Sequence, residues 1–121
     1  MTIGIDIEKT KRFNLPKDDV FLKENFTENE IIYAFNNSNP SLSLCGFFCA
    51  KEALIKTLNS QIIKLNEIEI IHIKGGKPKI ILLDKQLQFD LELSISHSED
   101  YALAVVQNNQ KINSKNGKIN F

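Results

Sequence analysis

Acidic residues at three places in the sequence stand where their charge needs a partner. Asp6 and Glu8 lie two apart in TIGIDIE, residues 2–8. In an extended strand they share a face about 6.5–7 Å apart, close enough to repel unless a cation or water screens them. Glu52 interrupts LCGFFCAKEALIKTLN, residues 44–59, a stretch otherwise apolar enough to be buried. Phe48, one helical turn earlier, partly shelters that carboxylate, and a sheltered carboxylate needs a cation or a set of donors. Lys51 stands beside it, and Lys56, four residues on, shares its face. Further along, Ser94-Ile95-Ser96-His97-Ser98 sets hydroxyls around one of only two histidines. Three carboxylates without a thiol or histidine cluster suit a hard cation such as Mg²⁺, which takes a few carboxylates and completes its shell with water and substrate phosphate. Lysines beside such an ion would meet phosphate oxygens and steady a leaving group. His97 and its hydroxyls suit a further phosphate. The chemistry is that of Mg²⁺-dependent handling of a phosphorylated small molecule. Plainer readings stand beside it: Glu52 and Lys56 as a surface helix pair, residues 2–8 as an edge strand with a solvated polar face, His97 as an ordinary hairpin residue.

The elements that must position these residues follow from periodicity. Residues 2–8 alternate strictly, so Ile3, Ile5 and Ile7 form one face of a strand, expected in the core. Thr2, Gly4, Asp6 and Glu8 form the other, where Gly4 leaves space for something bulky against the backbone. Pro16 marks a break, and residues 17–25 read as a short helix with Val20, Phe21 and Leu22 inward. Thr27-Glu28-Asn29-Glu30 is a capping box opening a second short helix, whose apolar face is Ile31, Ile32, Ala34 and Phe35. NNSNP, residues 36–40, is a loop, with Ser41 or Ser43 available to cap the helix that follows. In that helix Phe47, Ala50, Leu54 and Leu58 recur at helical spacing, widened by Cys45, Phe48 and Cys49. Residues 67–74 and 79–83 read as two strands around Gly75-Gly76-Lys77-Pro78, and residues 91–97 and 101–107 as a second hairpin. Strands and helices do not alternate as in a doubly wound parallel sheet, so the fold class is α+β, an antiparallel sheet packed on a long central helix.

At 121 residues the chain makes one domain, expected over residues 1–107, with residues 108–121 a polar, flexible tail. Fifteen basic and fifteen acidic residues balance, which argues against a general nucleic-acid binder. Local charge is less even: Lys9, Lys11, Arg12 and Lys17 cluster near the start, and Arg12 is the only arginine. Cys45 and Cys49 read as buried thiols in a reducing compartment, not as a disulfide or metal site. No apolar run approaches a membrane span and no leader precedes the first strand. A cytoplasmic protein with no membrane partner is the expectation. His72 reads as structural.

Three stretches in order, GIDIE at 4–8, FCAKEALIK at 48–56 and SISHSEDYALAVV at 94–106, resemble the 4′-phosphopantetheinyl transferases, and in length the short holo-[acyl-carrier-protein] synthase type. Arg12, FTENEI at 26–31 and GGKP at 75–78 add to the likeness. The resemblance implies a soluble enzyme that transfers the phosphopantetheine arm of coenzyme A to a serine of apo acyl carrier protein, releasing 3′,5′-ADP. By this likeness Asp6 and Glu52 resemble metal ligands for Mg²⁺. Glu8 departs from the short type but matches longer members, in which it is a third ligand. Lys56 resembles the lysine that contacts coenzyme A phosphate and protonates the departing diphosphate. In a phosphoryl transfer of this kind Glu52, directly or through a water, is the candidate for drawing off the serine proton. His97, with Ser96 or Ser98 nearby, resembles the residue that binds the 3′-phosphate, and Lys51 and Lys77 are placed with the coenzyme A-binding groups. Arg12, with Lys9 and Lys11, resembles the basic surface that meets the acidic carrier helix. Phe47 stands where the short type often has an arginine, so a phosphate contact is missing or moved. The likeness also implies a homotrimer with active sites between subunits. Two rival readings are a coenzyme A-binding module without turnover and a small interaction domain whose acids form a solvated patch.

Overall fold

In the computed structural model, which describes residues 1–59 and 62–109, the chain opens with strand β1, Thr2–Lys9, which runs into a single 3-10 turn at Thr10–Phe13. Two short helices follow, α1 at Val20–Asn25 and α2 at Glu28–Phe35. Helix α3, Pro40–Lys56, is the longest element. A hairpin of β2, Ile68–His72, and β3, Pro78–Leu82, precedes a second hairpin of β4, Leu91–His97, and β5, Tyr101–Asn108. The β1, β5 and β4 strands form an antiparallel sheet with β5 in the middle, and β2 and β3 form a separate antiparallel pair. The class is α+β as expected, with the antiparallel strands divided between two sheets.

Local chemistry accounts for most boundaries. Asp19 caps α1 by accepting a hydrogen bond from the Phe21 amide at 2.8 Å. Thr27 and Glu30 form both bonds of the capping box at the start of α2. The central helix starts earlier than expected: Asn39 is the cap, accepting from the Leu42 amide at 3.2 Å, and Pro40 takes the first helical position. Neither Ser41 nor Ser43 caps it, because proline's missing N–H and fixed φ already suit that first turn. Gly75 and Gly76 both hold positive φ, 94° and 86°, in the β2–β3 turn, a conformation that costs glycine no steric penalty.

The core lies between α3 and one face of the three-stranded sheet. Leu44, Cys45, Phe47, Phe48, Cys49, Ala50, Ala53 and Leu54 of α3 are all buried. In the first short helix Leu22 is fully buried while Val20 stays largely exposed. The inward expectation for Val20 therefore fails, because six residues offer only a narrow inner stripe.

The largest departure concerns the faces of β1. Ile3, Ile5 and Ile7 are exposed at 61%, 53% and 58%, whereas Gly4 is buried and Thr2, Asp6 and Glu8 are partly covered. Alternation separates the two faces of a strand but does not say which one meets the core. Here the decision rests on Gly4: a Cβ placed on it would lie 1.8 Å from the Ala53 carbonyl oxygen. The helix backbone therefore presses directly onto the strand at this point. Across the sheet the same face continues with Ala102, Ala104 and Val106, all fully buried. The anticipated bulky neighbour of Gly4 is α3 itself. Asn108, placed in the expected tail, is fully buried at the end of β5 and donates to the Thr57 hydroxyl at 3.1 Å. The remainder of that tail, from residue 110, lies outside the described residues.

Candidate active site

Close contact at Gly4 carries the middle of β1 against the C-terminal half of α3, and this brings the acids together. Lys56 reaches back to the strand, donating to the Ile5 carbonyl at 2.8 Å and to Asp6 Oδ1 at 3.2 Å. The expected Glu52–Lys56 helix pair is absent from the described ion pairs; the lysine instead crosses between elements. Asp6 is only 12% exposed in its side chain, and its second oxygen, Oδ2, is buried with no hydrogen-bond partner among the described residues. Glu52 is held above the ordinary carboxylate range, first by burial and then by the charges of Asp6 and Glu8, with Lys56 and Arg12 pulling back. Two carboxylates thus repel each other across one small region, and one of them keeps a bare oxygen there.

Glu8 is differently engaged. Its Oε1 pairs with the Arg12 guanidinium at 2.7 Å, and that guanidinium lies over the rings of Phe48, Phe13 and Phe21 at 5.0, 5.6 and 5.9 Å. Among the described residues no set of three or more His, Cys, Asp and Glu side chains is disposed to hold a metal ion. The expected trio is therefore not gathered as a trio; the arginine salt bridge draws Glu8 aside. A pair of carboxylates with an orphaned buried oxygen nonetheless fits Mg²⁺, whose shell is completed mostly by water and substrate oxygens.

Lys51 is corrected by the structure. Expected among the coenzyme A-binding groups, it is instead fully buried. Its ammonium donates to Glu30 Oε1 at 2.6 Å and to the carbonyls of Asn25 and Leu65 at 2.9 Å each. Glu30 Oε2 accepts from the Ile70 amide at 2.7 Å, and Oε1 also takes the Thr27 amide of the capping box. All three ammonium protons are engaged inside the protein. A lysine one position before Glu52 on a helix is turned about 100° away from it, which is the physical reason the two part company.

At the other end of α3 a second region forms. His97 lines a cavity of about 230 Å³ together with Tyr33, Ser43, Gly46, Phe47 and His72. A Cβ on Gly46 would come within 2.7 Å of His97 Nε2, so this glycine makes room for the imidazole. Burial lowers the His97 pKa, opposed by its contact with the Leu42 carbonyl. Ser96 and Ser98 do not share this position. Ser96 alternates with His97 onto the outer face of β4, and the Ser98 hydroxyl accepts from the Tyr101 amide at 3.2 Å inside the turn. Lys77, at the neighbouring β2–β3 turn, is exposed and lies 3.7 Å from Glu92. Lys9, Lys11 and Arg12 are exposed, as a docking surface requires. Tyr33, Gly46 and His72 were not anticipated from the sequence. Their one sequence signal was that His72 breaks the isoleucine run of its strand.

A larger groove of about 620 Å³, lined by Lys17, Lys23, Phe26, Ile31 and Ile32 among others, contains none of the expected site residues. Cys45 and Cys49 are free and buried, donating to the carbonyls of Glu8 and Ala102. Both thiols thereby tie α3 to strands β1 and β5.

Comparison with known proteins identifies the family and the fold. The chain is 38% identical over 114 residues to a holo-[acyl-carrier-protein] synthase of Caldanaerobacter subterraneus, a match covering 85% of this chain and 90% of that one. Its fold superposes with a TM-score of 0.75 on a holo-(acyl-carrier-protein) synthase from Bacillus anthracis in complex with CoA (3′,5′-ADP), at 32% identity, covering 88% and 93% of the two chains. The Helicobacter pylori synthase in complex with coenzyme A gives the same TM-score at 30% identity, covering 89% and 100%. The family model of the 4′-phosphopantetheinyl transferase superfamily matches residues 2–106, nearly the whole described chain, and the protein belongs to that superfamily.

Proposed function

We propose that this protein transfers the 4′-phosphopantetheine arm of coenzyme A to a serine hydroxyl of apo acyl carrier protein, giving the holo carrier protein and 3′,5′-ADP. The observation that carries this reading is the buried, unpartnered Oδ2 of Asp6 beside a Glu52 that is pushed toward its protonated form. Such a pair is costly to keep in a folded protein unless it serves a charged ligand. Asp6 and Glu52 would hold Mg²⁺, which when bound supplies positive charge to the diphosphate of coenzyme A.

The chain's own groups then divide the work. His97 faces a cavity suited to the 3′-phosphate at the far end of the nucleotide. Lys56, fixed between the Ile5 carbonyl and Asp6, offers a cation and a proton to the departing diphosphate oxygen. As the serine oxygen bonds to phosphorus, the phosphoanhydride bond breaks and the serine proton passes to Glu52, directly or through a water. Lys9, Lys11 and Arg12 present positive charge to the acidic carrier.

A homotrimer with shared sites completes the reading. Ile3, Ile5 and Ile7 lie exposed on the outer sheet face and pair across the sheet with Gln107, Val105 and Leu103. A contiguous apolar face of this kind marks an interface. The His97 cavity, about 230 Å³, falls below the roughly 300–1,000 Å³ usual for a small-molecule site. One subunit therefore encloses only part of a ligand as long as coenzyme A. Two buried free thiols agree with a cytoplasmic location.

The test is Mg²⁺-dependent labelling of apo acyl carrier protein by a fluorescent coenzyme A, read by gel and by intact mass. Labelling that disappears with EDTA and returns with Mg²⁺ is expected. Coenzyme A binding without labelling would overturn the enzymatic reading in favour of a binding module.

A further inference from the structure

We infer that His72 is a second anion-binding histidine, acting with His97 on the same phosphate monoester from another wall of their shared cavity. The inference rests on the coenzyme A reading above and deepens it, by naming a further residue that recognises the 3′-phosphate.

His72 ends strand β2 and His97 ends β4, so the two imidazoles arrive from different sheets. Both line the cavity of about 230 Å³. The His72 ring is held in one plane by its neighbours: Tyr33 stacks on it with centroids 4.5 Å apart and planes 9° from parallel, and Phe47 packs against it at 5.8 Å and 51°. Tyr33 and Phe47 also touch each other, at 5.6 Å. That aromatic setting would accept a phenylalanine equally well, so packing does not explain an imidazole. Nor does internal hydrogen bonding, because His72 Nδ1 is buried with no partner among the described residues, whereas buried polar atoms are nearly always satisfied.

Burial first, then the charge of His97, works against a proton on His72, so the ring would meet an anion as a neutral N–H donor. Among the described residues no carboxylate acts on either histidine, and none competes with an anion for their N–H groups. Imidazole N–H groups donate well to phosphate oxygens, and a donor to a charged acceptor contributes more than one between neutral groups.

The experiment uses calorimetric titration of the full-length protein with 3′,5′-ADP and with 5′-AMP, which lacks the 3′-phosphate. His72→Phe keeps the ring against Tyr33 and removes the N–H; His72→Gln is the second variant, should the first not fold. The wild type is expected to prefer 3′,5′-ADP, and the variants to lose roughly tenfold or more in affinity for 3′,5′-ADP with 5′-AMP unchanged. Equal losses for both nucleotides, or no loss for either, would overturn the assignment of His72. A wild type that labels carrier protein while its His72 variants discriminate normally would sink this inference alone. A wild type that binds neither nucleotide would remove the coenzyme A reading together with it.

Discussion

Asp6 is the residue on which the proposed chemistry turns, because its two oxygens are treated differently. Oδ1 is held by Lys56 and Oδ2 is left bare in a buried position. Glu52 feels Asp6 and Glu8 as like charges, yet the Glu8 carboxylate is already committed to Arg12 at 2.7 Å. From this asymmetry Glu52→Gln is expected to lower carrier labelling by about 100-fold or more, while Glu8→Gln lowers it by less than about tenfold. Initial rates at saturating Mg²⁺ and coenzyme A decide the matter, and equal losses in the two variants would restore Glu8 to the metal site. Residue identity alone pointed to these acids, since a carboxylate inside an apolar stretch is conspicuous in one dimension. Which of them lacked a partner was not readable there. Arg12 belongs to the 3-10 turn that follows β1, and that turn brings it back over Phe48 toward Glu8.

At the level of elements, α3 faces two ways. Its acid-bearing side packs on β1, and its Lys51 side is pinned to α2 and β2 through Glu30. Burial pushes Glu30 up and Lys51 down, each toward neutrality, while their mutual attraction opposes that drift. Removing one partner from such a pair strands the other, typically at about 3–5 kcal/mol. Lys51→Met is therefore expected to destabilise the protein by roughly 3 kcal/mol, the low end because Glu30 can take up a proton. Denaturant unfolding measures this loss, and the labelling rate per folded molecule should be nearly unchanged. A raised KM for coenzyme A with unaltered stability would instead return Lys51 to the substrate site. Helical length and the capping box were legible from residues 27–56, as hydrophobic spacing and end signals are local. The direction in which Lys51 pointed was not. One position along a helix swings a side chain by about 100°, so its partners depend on which neighbours pack there.

For the whole molecule, the exposed stripe of Ile3, Ile5 and Ile7 is the feature that a single chain leaves unexplained. It lies on the sheet face turned away from α3, and the proposed trimer would cover it. Ile5→Glu is expected to convert the assembly to monomers by light scattering, since a charge at the centre of an apolar interface is costly. Carrier labelling should fall with it, because the coenzyme A site would lose its second wall. A monomeric variant that labels at the wild-type rate would separate assembly from activity and remove the shared-site model.

The order of residues determined the α+β class, the two hairpins and the capping box, and it singled out the acids, lysine and histidine proposed for the site. All of these depend on spacing and composition within a few residues, which is information a linear chain carries. Only the tertiary structure decided which face of β1 met the core, that Lys51 was a buried strut, and that His72 joined His97 around one cavity. Those outcomes are set by close approaches between distant segments, above all α3 against Gly4 and Gly46 against His97. A strand's alternation is symmetric with respect to its two faces, and only the packing partner breaks that symmetry.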